Sequence, residues 1–352
     1  MAEPNSAEPN SAEPAPRSIL ILRTSALGDV VHCLPVASAL RAAFPAARLG
    51  WVVEEPFLPL VASHPAVDEA IPVALRRWRR RPLAAATRRE VAVFRQRLRG
   101  FEAEVALDLM GNHKAGALAL LSGARRRVGP ARRDRREPSS AAWINRPANV
   151  TGVHAVDRAL SLLAALGVAA PAADFAGAAL LPASGGAPAT APGYVLLQPG
   201  AGWGNKRYPP AWWGRVAREL ASAGDRVHVL AGPGEEALAA EVAAESAGGA
   251  AAATPGGLAE LAAWLRGARL VIGGDTGPLH LAHALGAPVL ALHGPTDPAR
   301  HGPYGAPERA MFRLLPCSFC YRRFDDTKAC LLALAPRDVA RRARELLSDA
   351  RS

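Results

Sequence analysis

Cysteine is scarce in this sequence, and long apolar runs are absent. Four cysteines among 352 residues are too few for a disulfide scaffold. No apolar stretch reaches the ~20 residues that a membrane-spanning helix needs. Because the N-terminal residues also lack the apolar core of an export signal, we expect a cytoplasmic protein. With 50% of its residues hydrophobic, the chain is expected to be globular.

Three of the cysteines, Cys317, Cys320 and Cys330, follow the spacing C-x2-C-x9-C. They could supply three zinc ligands, but no histidine follows at finger-like spacing. A local cluster of reduced thiols is the preferred interpretation. Cys33 lies in an apolar helical stretch and is predicted to be part of the core. We therefore expect no bound metal.

Sequence signatures of nucleic-acid binding are missing as well, although the formal net charge is +11. Such a charge points to an anionic partner: nucleic acid, an acidic membrane surface or a phosphorylated substrate. Two arginine clusters, within 76–81 and 125–136, both lie in the first half of the chain. No helix-turn-helix, finger or RNA-binding pattern accompanies them, so we expect no nucleic acid. For any single arginine, an ordinary solvated surface is the alternative.

The composition divides the chain into parts. Residues 1–16 repeat Ala-Glu-Pro-Asn-Ser and are acidic and rich in proline, so we expect a disordered tail. The stretch 171–192 is rich in alanine, glycine and proline and is the best linker candidate. We predict an N-terminal domain over 17–180, a C-terminal domain over 190–335 and a C-terminal helix over 336–352.

Apolar runs alternate with amphipathic segments in both halves. Strands are predicted at 18–23, 48–53, 70–73, 105–109, 194–198, 226–230, 268–272 and 289–292. Helices are predicted at 29–44, 153–166, 210–223, 235–247, 258–266 and 336–348. This alternation predicts an α/β protein with two doubly wound, Rossmann-like sheets facing a central cleft. Ligands of such sheets bind outside the carboxyl ends of the strands.

The most informative motif, Gly-Gly-Asp-Thr-Gly-Pro-Leu-His, follows a predicted strand of the second half. Pro278 fits the first turn of a helix, Thr276 can cap that helix, and Gly277 lets a ligand approach the backbone closely. Free N–H groups and the helix dipole then favour a phosphate. Asp275 and His280 lie at the same helix start, which favours a ligand site over the alternative of an ordinary βα turn.

A glycine-rich loop at 198–209 follows the first strand of the second half. Its glycines, among them Gly202, permit a tight backbone, and Lys206 supplies a point charge for phosphate. The spacing fits neither a P-loop nor the dinucleotide fingerprint. After the next strand, Glu235 or Glu236 could accept hydrogen bonds from ribose hydroxyls. The alternatives are an exposed surface loop and the acidic first turn of a helix.

The first half has its own strand-end motif, Thr-Ser-Ala-Leu-Gly-Asp, which ends at Asp29. It places a carboxylate at the mouth of the N-terminal half. Asp29 is either a base that faces the cleft or a helix N-cap, which is a common use of aspartate. The spacing leaves both interpretations open.

Together and in this order, the motifs resemble the ADP-heptose:lipopolysaccharide heptosyltransferases, a glycosyltransferase family with the GT-B fold. The matching segments lie at 21–32, 51–55, 71–79, 200–209, 275–280 and 294–298. They extend over nearly the whole chain outside the tail. Two of them, 51–55 and 71–79, are more similar to the type I branch, which adds the first heptose, than to type II.

The resemblance implies an inverting transfer of L-glycero-D-manno-heptose from ADP-heptose to a Kdo sugar on lipid A, without cofactor or metal. Asp29 matches the catalytic base, and Lys206 matches the lysine that holds the donor phosphates. The pyrophosphate-binding segment matches Asp275, Thr276, Gly277 and His280. Glu235 or Glu236 falls near the ribose-binding glutamate. The loop around Gly202 has glycine and tryptophan where the family often has threonine or serine, so backbone N–H groups must supply some phosphate contacts.

Arg76, Arg79 and Arg136 match positions where type I enzymes contact their anionic acceptor. Kdo carboxylates and lipid A phosphates suit the planar fork of arginine. The basic first half is therefore expected to face the acceptor, with peripheral contact to the anionic cytoplasmic face of the inner membrane. The alternatives are a type II or other sugar-adding member, and an inactive member that only binds nucleotide sugar. The presence of Asp29, Lys206 and Asp275 argues against the inactive member.

Overall fold

The computed structural model describes residues 14–169, 171–182 and 192–349. The predicted disordered tail lies outside the described residues except for 14–16, and so does the middle of the predicted linker. The described residues form two separate six-stranded sheets, one in each half, and the strands of each sheet pair in parallel. None of the described helices is long and apolar enough to cross a lipid bilayer.

The first half forms one sheet with helices packed on it. Its strands are β1 (Ser18–Leu22), β2 (Arg48–Glu54), β3 (Glu69–Val73), β4 (Val105–Asp108), β5 (Arg126–Pro130) and β6 (Arg146–Ala148). Its helices are α1 (Leu27–Val31), α2 (Leu34–Ala43), α3 (Leu58–Ala62), α4 (Leu75–Arg80), α5 (Ala85–Gly100), α6 (His113–Leu121) and α7 (Ala155–Leu160). The strand order is β3-β2-β1-β4-β5-β6, which is a doubly wound arrangement.

The second half repeats this arrangement. Its strands are β7 (Tyr194–Gln198), β8 (Val227–Leu230), β9 (Ala251–Ala253), β10 (Ala268–Gly274), β11 (Val289–Leu292) and β12 (Ala310–Met311). Its helices are α8 (Pro210–Ser222), α9 (Glu236–Glu245), α10 (Leu258–Gly267), α11 (Gly277–Ala284), α12 (Pro298–His301), α13 (Ala329–Leu332) and α14 (Pro336–Asp349). The strand order, β9-β8-β7-β10-β11-β12, is the same as in the first half. The prediction of two Rossmann-like sheets is confirmed.

Continuous apolar runs form the central strands. All residues of β1 and of β7 are buried, as expected for parallel strands covered by helices on both faces. Strand β1 pairs with β2 and β4, and β7 pairs with β8 and β10. The strand order reverses beside β1 and beside β7, so the loops that follow them open where doubly wound sheets bind ligands.

The predicted helix at 29–44 is two helices, α1 and α2. Pro35 occupies the first turn of α2. It has no N–H to bond the carbonyl of Val31, and its ring would clash with that carbonyl in a continuous helix. The break leaves α1 as a short turn that carries Asp29 to the end of β1.

Other differences concern short or polar elements. The predicted helix at 153–166 is α7 followed by a 3-10 helix, Ser161–Leu166, which ends at Gly167 with φ 77°. Glycine adopts this left-handed conformation at little cost. The sequence prediction omitted the helices α3, α4, α5, α6, α12 and α13 and the strands β5, β6, β9 and β12. Three of those strands have only two or three residues, too few to show a period.

The two halves share one apolar core. A single cluster of buried side chains includes Trp51 from the first sheet together with Tyr194 and Leu281 from the second half. Helices α1 and α11 contact each other directly. The loops after β1 and β10 are therefore held side by side, which is the arrangement that the cleft requires.

Candidate functional site

Asp29 lies on α1, at the carboxyl end of β1. Its Oδ2 atom accepts a hydrogen bond from the backbone N–H of Ala26 at 3.1 Å, and its Oδ1 atom lies 2.6 Å from the guanidinium of Arg23. The N-cap of α1 is Ala26, so the N-cap interpretation of Asp29 is wrong. Because 43% of its side chain is exposed, the carboxylate is oriented by two partners yet remains open to a ligand.

A cavity of about 480 Å³ opens beside Asp29, and both halves of the chain line it. Its charged lining consists mainly of arginines: Arg23, Arg133, Arg135, Arg136, Arg158 and Arg300. The carboxylates in the lining are Asp29 and Asp134. This excess of positive charge favours an anionic ligand.

Two of these arginines come from opposite halves. Arg158 lies on α7 and Arg300 on α12. Burial and the positive charge of Arg300 lower the pKa of Arg158, so the two cations are close enough to repel each other. An anion between them would relieve that repulsion. The sequence analysis did not find this pair, because only the fold brings the two residues together.

Lys206 lies near the carboxyl end of β10, where the buried carboxylate of Asp275 holds its ammonium group. Its Nζ atom is 2.6 Å from Oδ2 of Asp275. Asp275 also accepts a hydrogen bond from the Thr296 hydroxyl at 2.7 Å, and its Oδ1 atom lies 2.8 Å from Nε2 of His280. Burial alone would raise the pKa of Asp275, but the hydrogen bond from His280 and the charge of Lys206 hold that pKa well below its usual range. Asp275 therefore positions the lysine.

Thr276 is the N-cap residue of α11, but its side chain does not cap the helix. The hydroxyl donates instead to Oε1 of Gln198 at 2.6 Å, so the predicted capping bond is wrong. Within the described residues no side chain caps this helix start, and Pro278 in its first turn has no N–H. The remaining free N–H groups of the turn are available to an anion.

Helices α1 and α11 meet at two glycines. A Cβ atom added to Gly277 would lie 2.7 Å from Cβ of Leu27, and one added to Gly28 would lie 2.7 Å from Cδ2 of His280. Both distances are shorter than real Cβ contacts. Gly277 is thus needed for the approach of the two helices, whereas the close approach of a ligand stays a prediction. This packing brings Asp29 to the start of α11.

We expect Gly28→Ala to lower the free energy of unfolding by about 1–3 kcal/mol, because the extra methyl group overpacks the junction. The ring of His280 is held by Asp275 and cannot move without losing that bond. Gly100→Ala is the matched control, since a Cβ atom there would meet nothing within 4 Å. Urea unfolding of the two variants checks this, and equal midpoints would contradict the described contact.

Four histidines meet where the halves join, and the sequence analysis had named only one of them as a site residue. The ring centre of His32 lies 4.3 Å from that of His280, 5.4 Å from His154 and 6.3 Å from His301. Nε2 of His154 forms a hydrogen bond across the junction to the carbonyl of Gly302 at 2.9 Å. Burial lowers the pKa of His301 to about 4 and that of His32 well below its usual value. The lowered pKa values of His32 and His301 favour the neutral form of these two rings, which reduces charge repulsion at the junction.

Glu235 and Glu236 follow β8 but differ in surroundings. The carboxylate of Glu235 lies against Gly200 of the glycine-rich loop at 198–209, where an added Cβ atom would clash with its Oε2 atom. Glu236 is exposed on the first turn of α9. Glu235 therefore lies beside the loop that follows β7, and a ribose contact by either glutamate stays a prediction. Gly202 is exposed, and a Cβ atom added there would meet nothing within 4 Å.

The three predicted acceptor arginines fall into two places. Arg136 lines the cavity beside Asp29. Arg76 and Arg79 lie on α4, exposed to solvent, beyond the end of β3. The backbone of Arg76 forms a hydrogen bond with the carboxylate of Glu54. All three follow carboxyl ends of strands in the first sheet, but only Arg136 belongs to the cavity lining.

The cysteines do not form a metal site in the part of the chain that the structure describes. Cys317 and Cys320 are exposed, whereas Cys330 is buried, and no group of three potential ligands there is arranged to hold a metal ion. Cys33 is buried, as predicted, and burial raises the pKa of its thiol to about 11.

Comparisons with known proteins agree with this architecture. The family model described as glycosyltransferase family 9 (heptosyltransferase) matches residues 91–330. The chain is 35% identical over 311 residues to lipopolysaccharide heptosyltransferase 1 of Pseudomonas aeruginosa, covering 87% of this chain and 86% of that protein. It is 32% identical over 289 residues to the protein of the same name from Escherichia coli K12, covering 82% and 91%.

Solved structures are similar over almost the full length. Escherichia coli heptosyltransferase WaaC with ADP superposes with a TM-score of 0.80 at 30% identity, covering 94% of this chain and 99% of that one. The same enzyme with ADP-2-deoxy-2-fluoro heptose gives a TM-score of 0.78. Two Rossmann-like halves that face a central cleft form the GT-B fold, which this chain shares with these heptosyltransferase structures. The chain belongs to glycosyltransferase family 9, the heptosyltransferases.

Proposed function

We propose that this enzyme transfers L-glycero-D-manno-heptose from ADP-heptose to a Kdo residue of Kdo-lipid A, with inversion at the anomeric carbon. The family and the heptosyltransferase 1 relatives support heptose transfer in lipopolysaccharide core synthesis. One observation carries the finer assignment: the half-exposed carboxylate of Asp29 lies beside the start of α11, at a cavity lined by arginines from both halves. In this proposal 17–180 form the acceptor-binding domain and 190–335 the donor-binding domain.

The second half holds the donor. Lys206 and the N-terminus of α11 face the position of the diphosphate, and Thr276 contributes its hydroxyl and backbone. Negative charge grows on ADP as the glycosidic bond breaks, and these fixed positive groups stabilise it. Glu235 accepts hydrogen bonds from the ribose, while Gly202 leaves room for the donor. Binding of ADP and of a fluorinated ADP-heptose by WaaC supports a nucleotide-heptose donor.

The first half supplies the base. Asp29 accepts the proton of the attacking Kdo hydroxyl as the new bond to the anomeric carbon forms, which requires hydrogen-bond reach and an ionised carboxylate. The ion pair with Arg23 fixes the direction of the carboxylate. A direct attack by the acceptor, with no carboxylate acting as nucleophile, gives inversion.

The acceptor is recognised through its charge. Arg136 binds an acceptor carboxylate or phosphate inside the cavity, and Arg158 and Arg300 clamp an anionic group from opposite halves. Arg76 and Arg79 contact a more distant part of the acceptor from α4. Guanidinium groups suit this task because they bind such anions through two parallel hydrogen bonds.

The proposal is tested by measuring ADP release from purified ADP-heptose and Kdo-lipid A. We expect release that depends on the Kdo-containing acceptor and is unchanged by a chelator, because Lys206 and the helix N-terminus provide the positive charge. Lipid A without Kdo is the control acceptor. Equal ADP release with both acceptors would contradict the assigned substrate, and loss of release with chelator would contradict the role of Lys206.

The proposal also places the enzyme at the cytoplasmic face of the inner membrane as a peripheral protein. Its proposed acceptor is a lipid, and its first half carries the arginine clusters. An anionic leaflet attracts such segments over a distance of about one Debye length.

A further inference from the structure

The turn between α4 and α5 exposes an apolar side chain among arginines. Leu83 is 84% exposed, the highest value among the large apolar side chains, and Val93 on α5 is 65% exposed. Arg80 and Arg81 precede the turn and are exposed as well. A solvent-exposed leucine at a loop tip beside arginines is unusual, and it suggests that this surface contacts a partner.

The outer face of helix α5 also exposes arginine and apolar side chains. Thr87, Phe94 and Leu98 are buried and define the side that packs on the sheet. At 3.6 residues per turn, Arg89 and Val93 lie on the opposite side and point to solvent. The outer face of α5 therefore continues the surface that Leu83 begins.

The charge of this surface is uncompensated. Within the described residues no ion pair is seen for a set of exposed arginines on α4, the turn and α5: Arg79, Arg80, Arg81, Arg88, Arg89, Arg95 and Arg99. The carboxylate of α5, Glu90, is engaged at 2.6 Å by Arg77 and at 2.7 Å by the indole N–H of Trp78. The surface thus combines free positive charge with exposed apolar groups.

From this combination we infer that α4, the turn at 81–84 and the outer face of α5 form the surface by which the enzyme docks on an anionic lipid bilayer. Leu83 enters the headgroup region, and the arginines pair with lipid phosphates. Charge attraction and apolar insertion together give stable peripheral binding where either alone is weak. The inference rests on the proposed function in that the acceptor is itself a membrane lipid. Helix α4 also carries Arg76 and Arg79, so the bound acceptor and the bilayer would meet at one helix.

The test is flotation of the purified full chain with vesicles of phosphatidylethanolamine and phosphatidylglycerol. We expect binding to these vesicles, at least tenfold weaker binding to phosphatidylcholine vesicles, and a further loss at high salt. Arg88→Glu with Arg89→Glu should weaken binding to the anionic vesicles at least tenfold, and Leu83→Ser should weaken it severalfold. Arg215→Glu with Arg218→Glu on α8 makes the same charge change on exposed residues elsewhere, and that control should bind like the unmodified protein.

Equal losses in both charge-reversal variants would overturn the docking surface, and so would undiminished binding by the Arg88–Arg89 variant. Tighter binding of an RNA oligonucleotide than of anionic vesicles, lost in the same variant, would also overturn it.

ADP release with a deacylated, water-soluble Kdo acceptor separates this inference from the proposed function. The Arg88–Arg89 variant should keep that activity unchanged, and a parallel loss would count against a purely membrane role. If the unmodified protein lacked the activity but bound vesicles as expected, the proposed function alone would fail.

Discussion

Replacing Asp29 by asparagine is expected to lower kcat by about 10²- to 10⁴-fold, the range that a positioned general base contributes. Asparagine keeps the shape of the side chain and can still accept a bond from the backbone N–H of Ala26, which the carboxylate now does at 3.1 Å. It cannot take the proton of the acceptor hydroxyl. The steady-state rate of ADP release at saturating donor and acceptor measures the effect.

The matched control is Asp134→Asn. Asp134 also lines the cavity as a carboxylate, and its Oδ2 atom lies 3.6 Å from Nε of Arg133. The proposed chemistry gives it no role. Its loss should change kcat by no more than a few fold. A variant with asparagine at position 29 that kept more than a tenth of the unmodified rate would remove Asp29 from the role of base.

Lys206→Met is expected to lower kcat/KM for ADP-heptose by about 10²- to 10³-fold, similar to the loss of one preorganised donor at a developing charge. Methionine keeps the apolar stem but removes the ammonium group that stabilises the leaving diphosphate. The variant should also lose about 1–3 kcal/mol of stability, because buried Asp275 loses a charged partner. The remaining bonds of Asp275 to Thr296 and His280 limit that loss.

Lys328→Met serves as the control for this variant. Lys328 is an exposed lysine that pairs with exposed Asp326 in the second half, and such surface pairs contribute little. Both variants should be assayed well below their melting temperatures, so that unfolding does not imitate a catalytic defect. Similar kcat/KM values for the two variants would contradict the assignment of Lys206.

Much of the fold could be predicted because the central strands are continuous apolar runs. β1, β7 and β10 lie close to the predicted positions, since parallel strands buried on both faces contain few polar residues. Asp29, Lys206 and Asp275 follow the carboxyl ends of these strands in the structure, as the sequence predicted. The family resemblance added the GT-B arrangement, which the matching solved structures and the two sheets confirm.

The details of the site depended on contacts between residues distant in sequence. The break between α1 and α2 follows from Pro35, which the sequence contains. The sequence analysis nevertheless predicted one continuous helix at 29–44. The partner of the Thr276 hydroxyl, Gln198, lies on another strand, so local capping rules gave the wrong bond. No local pattern reveals that Gly28 contacts His280 or that Arg158 approaches Arg300, because each pair joins the two halves.

Donor binding by the second half and proton transfer by the first half can be separated by titrating ADP into the Asp29→Asn and Lys206→Met proteins in a calorimeter. We expect ADP to bind to the Asp29 variant as tightly as to the unmodified enzyme and at least tenfold more weakly to the Lys206 variant. Weakened ADP binding by the Asp29 variant together with unchanged binding by the Lys206 variant would contradict this expectation.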